Sequence, residues 1–382
     1  MGITDETLKR RLDGFRKRMR DKEIDMALLV EPDNQYYVSG FRAISYSRPI
    51  ICLVYLNSLQ FILPELEKDH ASQSARTDEL YVYHEIACHR GKDTQFHRPL
   101  EHLLDRQPAS STIGVEVDTL PAALYCMLHE RNFIVKDMGP DLMEMRMKKD
   151  QEEIHWIKQA GVLSDLALES SLHHVQPGIS ELELDSFGDK KLLEAASQQF
   201  PDQLIGFADW TCSGITRSFM PHLASSTRKL EKNDVVVHSR QVWVNHYRAE
   251  NERTFLIGRP SNEQKYCLEL AIEAQAQAMQ VVKPGVCAKD IDLAAYHVFE
   301  KHGYGEHVQH RTGHGLGLTE HEEPYLRFDN ELQLEEGMVY TIEPGIYVPG
   351  VGGFRHSDTV IVTNNGFESV TQYPRSLEDM IL

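Results

Sequence analysis

Gly313-His-Gly-Leu-Gly-Leu-Thr-Glu-His-Glu322, followed by Thr341-Ile-Glu-Pro-Gly345 and Gly353-Phe-Arg-His-Ser-Asp358, sets polar residues into glycine-spaced, otherwise apolar runs. In the first run His314 stands between two glycines, so backbone or ligand can approach its ring closely. Taken alone, such a triplet reads as a tight turn carrying a solvated histidine. Glu343 is harder to place in water. Val339, Tyr340 and Ile342 precede it in a strand-like run, and Pro344-Gly345 ends that run. Burying a carboxylate costs several kcal/mol unless a cation or hydrogen-bond donors meet it. Glu343 therefore needs an arginine, a metal or a substrate cation. Glu252 stands in a similar setting, with Arg253 on the opposite face if the segment is a strand.

Two earlier stretches have the same character. Trp210-Thr-Cys-Ser-Gly-Ile215 leads to His222 and Ser226-Thr-Arg-Lys229, and Asp234-Val-Val-Val-His238 leads through Tyr247 to Glu250, Glu252 and Arg253. The glycine-rich run lacks the lysine of a P-loop and the strand-to-helix setting of a dinucleotide fingerprint. No Gly-x-Ser-x-Gly elbow is present, which removes the common serine-hydrolase reading.

Around these stretches the chain repeats itself. A helix over 153–174 ends in Val175-Gln-Pro-Gly-Ile179, and a helix over 263–281 ends in Val282-Lys-Pro-Gly-Val286. Each turn is followed by an acidic, helix-like segment, Glu183-Leu-Asp185 and Asp290-Ile-Asp292. A helix, turn and helix matched in register predict a duplicated half-domain. Before residue 147 helical and strand patterns alternate instead. A helix is expected over 4–23, with strands at 26–30, 50–56, 59–63, 111–116 and 133–136. This predicts an α/β domain with a mixed sheet. The predicted division is 1–147 and 148–382.

Composition narrows the classes. Of 382 residues, 41% are hydrophobic and 26% charged, as in ordinary globular proteins, and the formal charge is -18. A dispersed acidic excess repels phosphate backbones and anionic lipid, so no nucleic-acid or membrane partner is expected. The N-terminal segment reads as no signal peptide, and no apolar run is long enough to span a bilayer. Six cysteines without a Cys-x-x-Cys pair read as reduced thiols, and a cytoplasmic location follows.

The glycine–histidine run, Thr341-Ile-Glu-Pro-Gly345 and Asp358-Thr-Val-Ile-Val-Thr363 resemble the pita-bread family that holds methionine aminopeptidase, aminopeptidase P, prolidase and creatinase. The resemblance implies an α/β (α+β) chain, with an N-terminal creatinase-like domain and a C-terminal, internally duplicated pita-bread domain. Metallopeptidases of this family hold two ions with two aspartates, a histidine and two glutamates. At the matching positions this chain has Ser239, Glu250, His314, Glu343 and Ser357, so a two-ion site is not expected. Loss of ligands with the frame kept resembles creatinase, which implies a metal-independent C–N hydrolase acting on a small guanidino or amidino acid. In that reading His222 is the acid–base, and Glu252 and Glu343 hold the substrate cation. The expected substrate-binding residues are Tyr46, Arg48, Tyr247, His314, His321, Arg327 and Arg355. No cofactor is expected; a single divalent ion, if one binds, would sit on Glu250, His314 and Glu343. A homodimer is implied, with the Arg48 segment near the partner's site. Two alternatives stand beside it: a one-metal enzyme, either an Xaa-Pro peptidase or a dimethylsulfoniopropionate-type lyase, and a non-catalytic binding protein.

Overall fold

The computed structural model describes residues 3–44, 47–89, 91–220 and 222–382. The chain divides into two compact units, Met1–Arg146 and Met147–Leu382.

The first unit opens with the helix Asp5–Asp21, capped by Thr4, whose side chain accepts from the Thr7 amide. Leu8, Leu12, Phe15 and Met19 recur at helical spacing and form its buried face. Strands β1 (Met26–Leu29), β2 (Ile51–Tyr55), β3 (Leu59–Pro64), β4 (Glu79–Tyr83), β5 (Thr112–Val115) and β6 (Ile134–Asp137) form one sheet in the order β4-β3-β2-β1-β5-β6. β1, β2 and β3 pair antiparallel, whereas β4, β5 and β6 join in parallel. The sheet is mixed, as the alternating pattern predicts. β4 has no counterpart among the predicted strands. It is a partly exposed edge strand beginning on Glu79, and its apolar signal is correspondingly weak.

The second unit is built twice. In its first half the helices Gln151–His173 and Glu181–Gln199 precede β7 (Ile205–Ser213), β8 (Val235–Val244) and β9 (Tyr247–Leu256). In its second half the helices Asn262–Val281 and Ala288–Lys301 precede β10 (Gly313–Gly315), β11 (Glu322–Leu326) and β12 (Val339–Ile342). β13 (Gly345–Val348), β14 (Gly352–Arg355), β15 (Ser357–Thr363) and β16 (Gly366–Ser369) complete it. Asp150, Ser180 and Ser261 each close a capping box with the residue three positions on, which fixes three helix starts.

The duplication extends to single hydrogen bonds. Gly178 and Gly285, both at positive φ, end the Pro-Gly turns. Gly178 donates to the Leu230 carbonyl and Gly285 to the Leu334 carbonyl. Leu230 and Leu334 then donate back to Ile179 and Val286, and all four bonds measure 2.8 Å. The strands form an antiparallel sheet in the order β11-β10-β12-β15-β9-β8-β7, with β16 beside β15 and β13–β14 as a separate ribbon. The two halves meet where β15 pairs with β9, Ser357 opposite Glu252 and Asp358 opposite Asn251. Helix residues such as Leu168, Leu172, Ala271, Ala274 and Ala295 pack with Val236, Phe255, Tyr340 and Val360 of the sheet. Among the described residues no helix is long and apolar enough to cross a membrane.

Candidate metal centre

The central strands of the second unit carry charge on both faces, and strand alternation decides which charge meets which. On β9, Asn251 and Arg253 turn to one side. Asn251 bonds Ser164 and Asp165 of the helix Gln151–His173, and Arg253 reaches Asp358 at 2.9 Å. Glu250 and Glu252 turn to the other side.

Glu250, on β9, meets His314 of β10 and Glu343, which directly follows β12. One ligand atom from each lies within 4.8 Å of the others, and all three residues are buried. His314 Nε2 is 3.3 Å from Glu343 Oε1. Its Nδ1 lies 3.0 Å from the Gly315 carbonyl and donates there, which leaves Nε2 facing the carboxylate. The glycines around His314 matter here. A Cβ at Gly313 would sit 2.0 Å from the Thr341 carbonyl oxygen, and one at Gly315 2.3 Å from that of Glu323. Glu250 accepts from Ser357 Oγ at 3.0 Å and from Gln241 Nε2 at 3.2 Å.

The electrostatics are unbalanced. Burial, and then the Glu343 carboxylate, push Glu250 up to about 7. Burial alone would raise Glu343 as well, but the His314 ring beside it, with Arg355 and His310, brings it well below the usual carboxylate range. Burial would lower His314, yet Glu343 and Glu250 hold it above its ordinary value. Two carboxylates thus share one imidazole in a desolvated place, which is the charge pattern a divalent cation relieves. The residues fit one ion. They do not fit two: Ser239 offers a buried hydroxyl with no partner, and the Ser357 hydroxyl is spent on Glu250.

Glu252 is not free to meet a substrate. Its carboxylate is gripped by Nε and Nη2 of Arg355, and both side chains are almost wholly buried. Arg355 Nη2 also makes the closest approach of that pair. The expected grip of Glu252 on a substrate guanidinium is therefore corrected: an internal guanidinium occupies it.

Beside the centre opens a cavity of about 1260 Å³, lined among others by Glu250, His314, Glu343 and Arg355. His222, His321 and Arg327, named as site residues from the sequence, also line it. His222 is exposed on the wall. His321 stacks on His314 with ring centroids 3.7 Å apart and is brought down to about 4 by burial and by that neighbour. Arg327 is paired with Asp329. Tyr247 is fully buried and is not among the lining residues. Arg48 belongs to the first unit and pairs with Glu85 at 2.5 Å. Tyr46 lies outside the described residues.

Sequence reasoning missed Gln241, His310 and Arg311, all of which line the cavity. Gln241 shares a strand face with Ser239, and Arg311 precedes the glycine–histidine run by two residues, so alternation and proximity could have found both. Arg311 lies over the Tyr325 ring at 4.2 Å and near His321 Nδ1 at 3.0 Å, while its buried Nε has no partner.

A duplicated antiparallel sheet with a buried Glu-His-Glu group gathered from β9, β10 and the end of β12 is the pita-bread arrangement, and the family and relatives it matches make it a hydrolase of C–N bonds. The chain belongs to metallopeptidase family M24, whose model matches residues 155–364, and the creatinase/prolidase N-terminal domain matches residues 11–148. It is 30% identical to the Xaa-Pro dipeptidase of Pyrococcus furiosus, over 97% of this chain and 100% of that protein. The prolidase of Thermococcus sibiricus superposes with a TM-score of 0.88 at 28% identity, each chain covered in full. The Xaa-Pro dipeptidase from Bacillus anthracis gives 0.84 at 29% identity, covering 98% of this chain and 100% of that one.

These relatives overturn two expectations. A metal-independent amidinohydrolase of creatinase type is replaced by the metallopeptidase family, and the expectation of no cofactor falls with it. The Glu250, His314 and Glu343 group supplies the physical reason, because it gathers three buried ligand atoms within 4.8 Å of one another, a set suited to one divalent ion.

Proposed function

We propose that the chain is a one-metal peptidase that hydrolyses the C–N bond of small Xaa-Pro-type dipeptides. The observation that carries the reading is the buried Glu250, His314 and Glu343 group opening onto a cavity large enough for a dipeptide. These three residues would hold the ion, which supplies Lewis acidity and lowers the pKa of water at neutral pH. Gln241 and Ser357 hold the Glu250 carboxylate by donating to its two oxygens, and the Gly315 carbonyl fixes the His314 tautomer. In this reading His222, exposed on the cavity wall, hands a proton to the departing amine. Trp210, Leu223, Leu293, Phe299 and Val308 give the cavity apolar walls suited to a proline ring. Arg311, whose guanidinium lines the cavity over the Tyr325 ring, suits the free carboxylate of a dipeptide.

The reading includes a homodimer and a cytoplasmic location, the latter in keeping with six unpaired cysteines. Its test is a substrate panel: Xaa-Pro dipeptides, the same peptides amidated at the C-terminus, and guanidino acids including creatine. Release of free proline from the unblocked dipeptides is the expected result. Turnover of guanidino acids alone would overturn the reading.

A further inference from the structure

The first unit carries a second constellation of metal-binding side chains, remote in sequence from Glu250, His314 and Glu343. β3 and β4 run in parallel and end side by side, with Pro64 opposite Tyr83. The next residue of each chain is therefore Glu65 and His84, set together by the register of the sheet. From His84 the chain turns through a short helical turn that ends on His89, and the His84 amide is tied to the Asp93 carbonyl at 2.7 Å. Glu65, His84 and His89 each place one ligand atom within 4.8 Å of the others.

Three details mark this as more than a polar surface. His84 is 8% exposed, and the two imidazoles meet edge to face with centroids 4.4 Å apart. His84 Nδ1 faces Glu65 Oε2 at 2.6 Å, but without the alignment of a hydrogen bond, and His89 Nδ1 is buried with no partner. A buried ring nitrogen left without a donor or acceptor is costly in a native fold. A cation bonded to both rings and the carboxylate satisfies all three groups at once.

We propose that Glu65, His84 and His89 form a second divalent-metal site, selective for a borderline transition ion such as Zn²⁺. Two imidazoles and one carboxylate suit zinc and its neighbours, whereas magnesium and calcium prefer oxygen ligands throughout. The Glu65 side chain is partly exposed, which leaves room for water in a fourth position. An ion there ties the segment after β4 to the end of β3. Glu85, next to His84 in that segment, holds Arg48 Nε at 2.5 Å, so the ion steadies this pair as well. The proposal does not rest on the peptidase reading.

The test uses the full chain, stripped of metal and titrated with Zn²⁺ by calorimetry, with bound metal counted after dialysis. Wild type is expected to hold two tight equivalents, and His314→Asn one. His89→Gln, at the less buried ring, is expected to hold one while keeping the tight equivalent that His314→Asn loses. Glu65→Gln serves as a second variant that leaves both rings in place and is expected to weaken, at least tenfold, the equivalent that His89→Gln loses. Circular dichroism of each variant establishes that it folds. Unchanged stoichiometry and affinity in folded His89→Gln and Glu65→Gln, or only weak zinc binding in the His314→Asn protein, would overturn the proposal.

Discussion

Replacing Glu252 by Gln takes from the Arg355 guanidinium its two-point partner in a place where neither side chain has more than about a twentieth of its surface exposed. Removing one partner of a buried, two-point ion pair costs about 3–5 kcal/mol, because the remaining charge keeps its desolvation penalty without its counter-charge. Arg355→Met strands the carboxylate of Glu252 in the same way. The double variant strands neither, so it is expected to be less destabilised than the sum of the two by at least about 2 kcal/mol. Arg355 still faces Glu343, which keeps the cost of Glu252→Gln toward the lower end of that range. Urea unfolding of the four proteins, followed by far-ultraviolet dichroism, gives the cycle directly. Additive losses, or a Glu252→Gln variant of wild-type stability with a raised KM, would refute the reasoning, since that is how a substrate-gripping carboxylate behaves.

Arg311→Met is expected to raise KM for unblocked dipeptides about tenfold, the equivalent of ~1.4 kcal/mol, and to leave KM for amidated peptides unchanged. Equal effects on both would show that Arg311 does not read the carboxylate. Glu181 gives the pH prediction. Burial would raise it, but Arg217 and the hydroxyls of Ser213 and Ser226, with the Ser213 amide, bring it below its ordinary 4.5. A depressed folded value contributes stability at pH above the unfolded value, and that contribution is lost as pH falls through the folded one. Melting temperature measured downward from pH 5 should therefore fall more steeply for wild type than for Glu181→Gln; parallel curves would contradict it.

Much of the fold was legible because it rests on local patterns. The repeated Pro-Gly turns announced a duplicated domain, and the same register reappears in the paired bonds of Gly178 with Leu230 and Gly285 with Leu334. The need of Glu343 for a partner was also legible, since a carboxylate at the end of an apolar strand cannot stand alone, and His314 meets it at 3.3 Å. The same argument applied to Glu252 demanded a cation and met the wrong one. Its partner, Arg355, lies 103 residues away on a ribbon strand whose position depends on how β13 and β14 fold back, which no local pattern encodes. Ligand loss at Ser239 and Ser357 favours a metal-independent main reading, with a single ion on Glu250, His314 and Glu343 left as the alternative. The surviving three residues were underweighted because their mutual charge imbalance appears only when β9, β10 and β12 come together. The Glu65, His84 and His89 group escaped notice for a related reason: β4 was not predicted, so its pairing with β3 was not either.

The account turns on the ion held by Glu250, His314 and Glu343. The most direct measurement is Xaa-Pro dipeptide hydrolysis by purified protein before and after chelation, then on re-addition of a divalent metal, in wild type and in Glu343→Gln. The account predicts loss of activity on chelation, recovery with metal in wild type, and no recovery in the folded variant. Hydrolysis that survives removal of all metal, or that returns equally in Glu343→Gln, would contradict it.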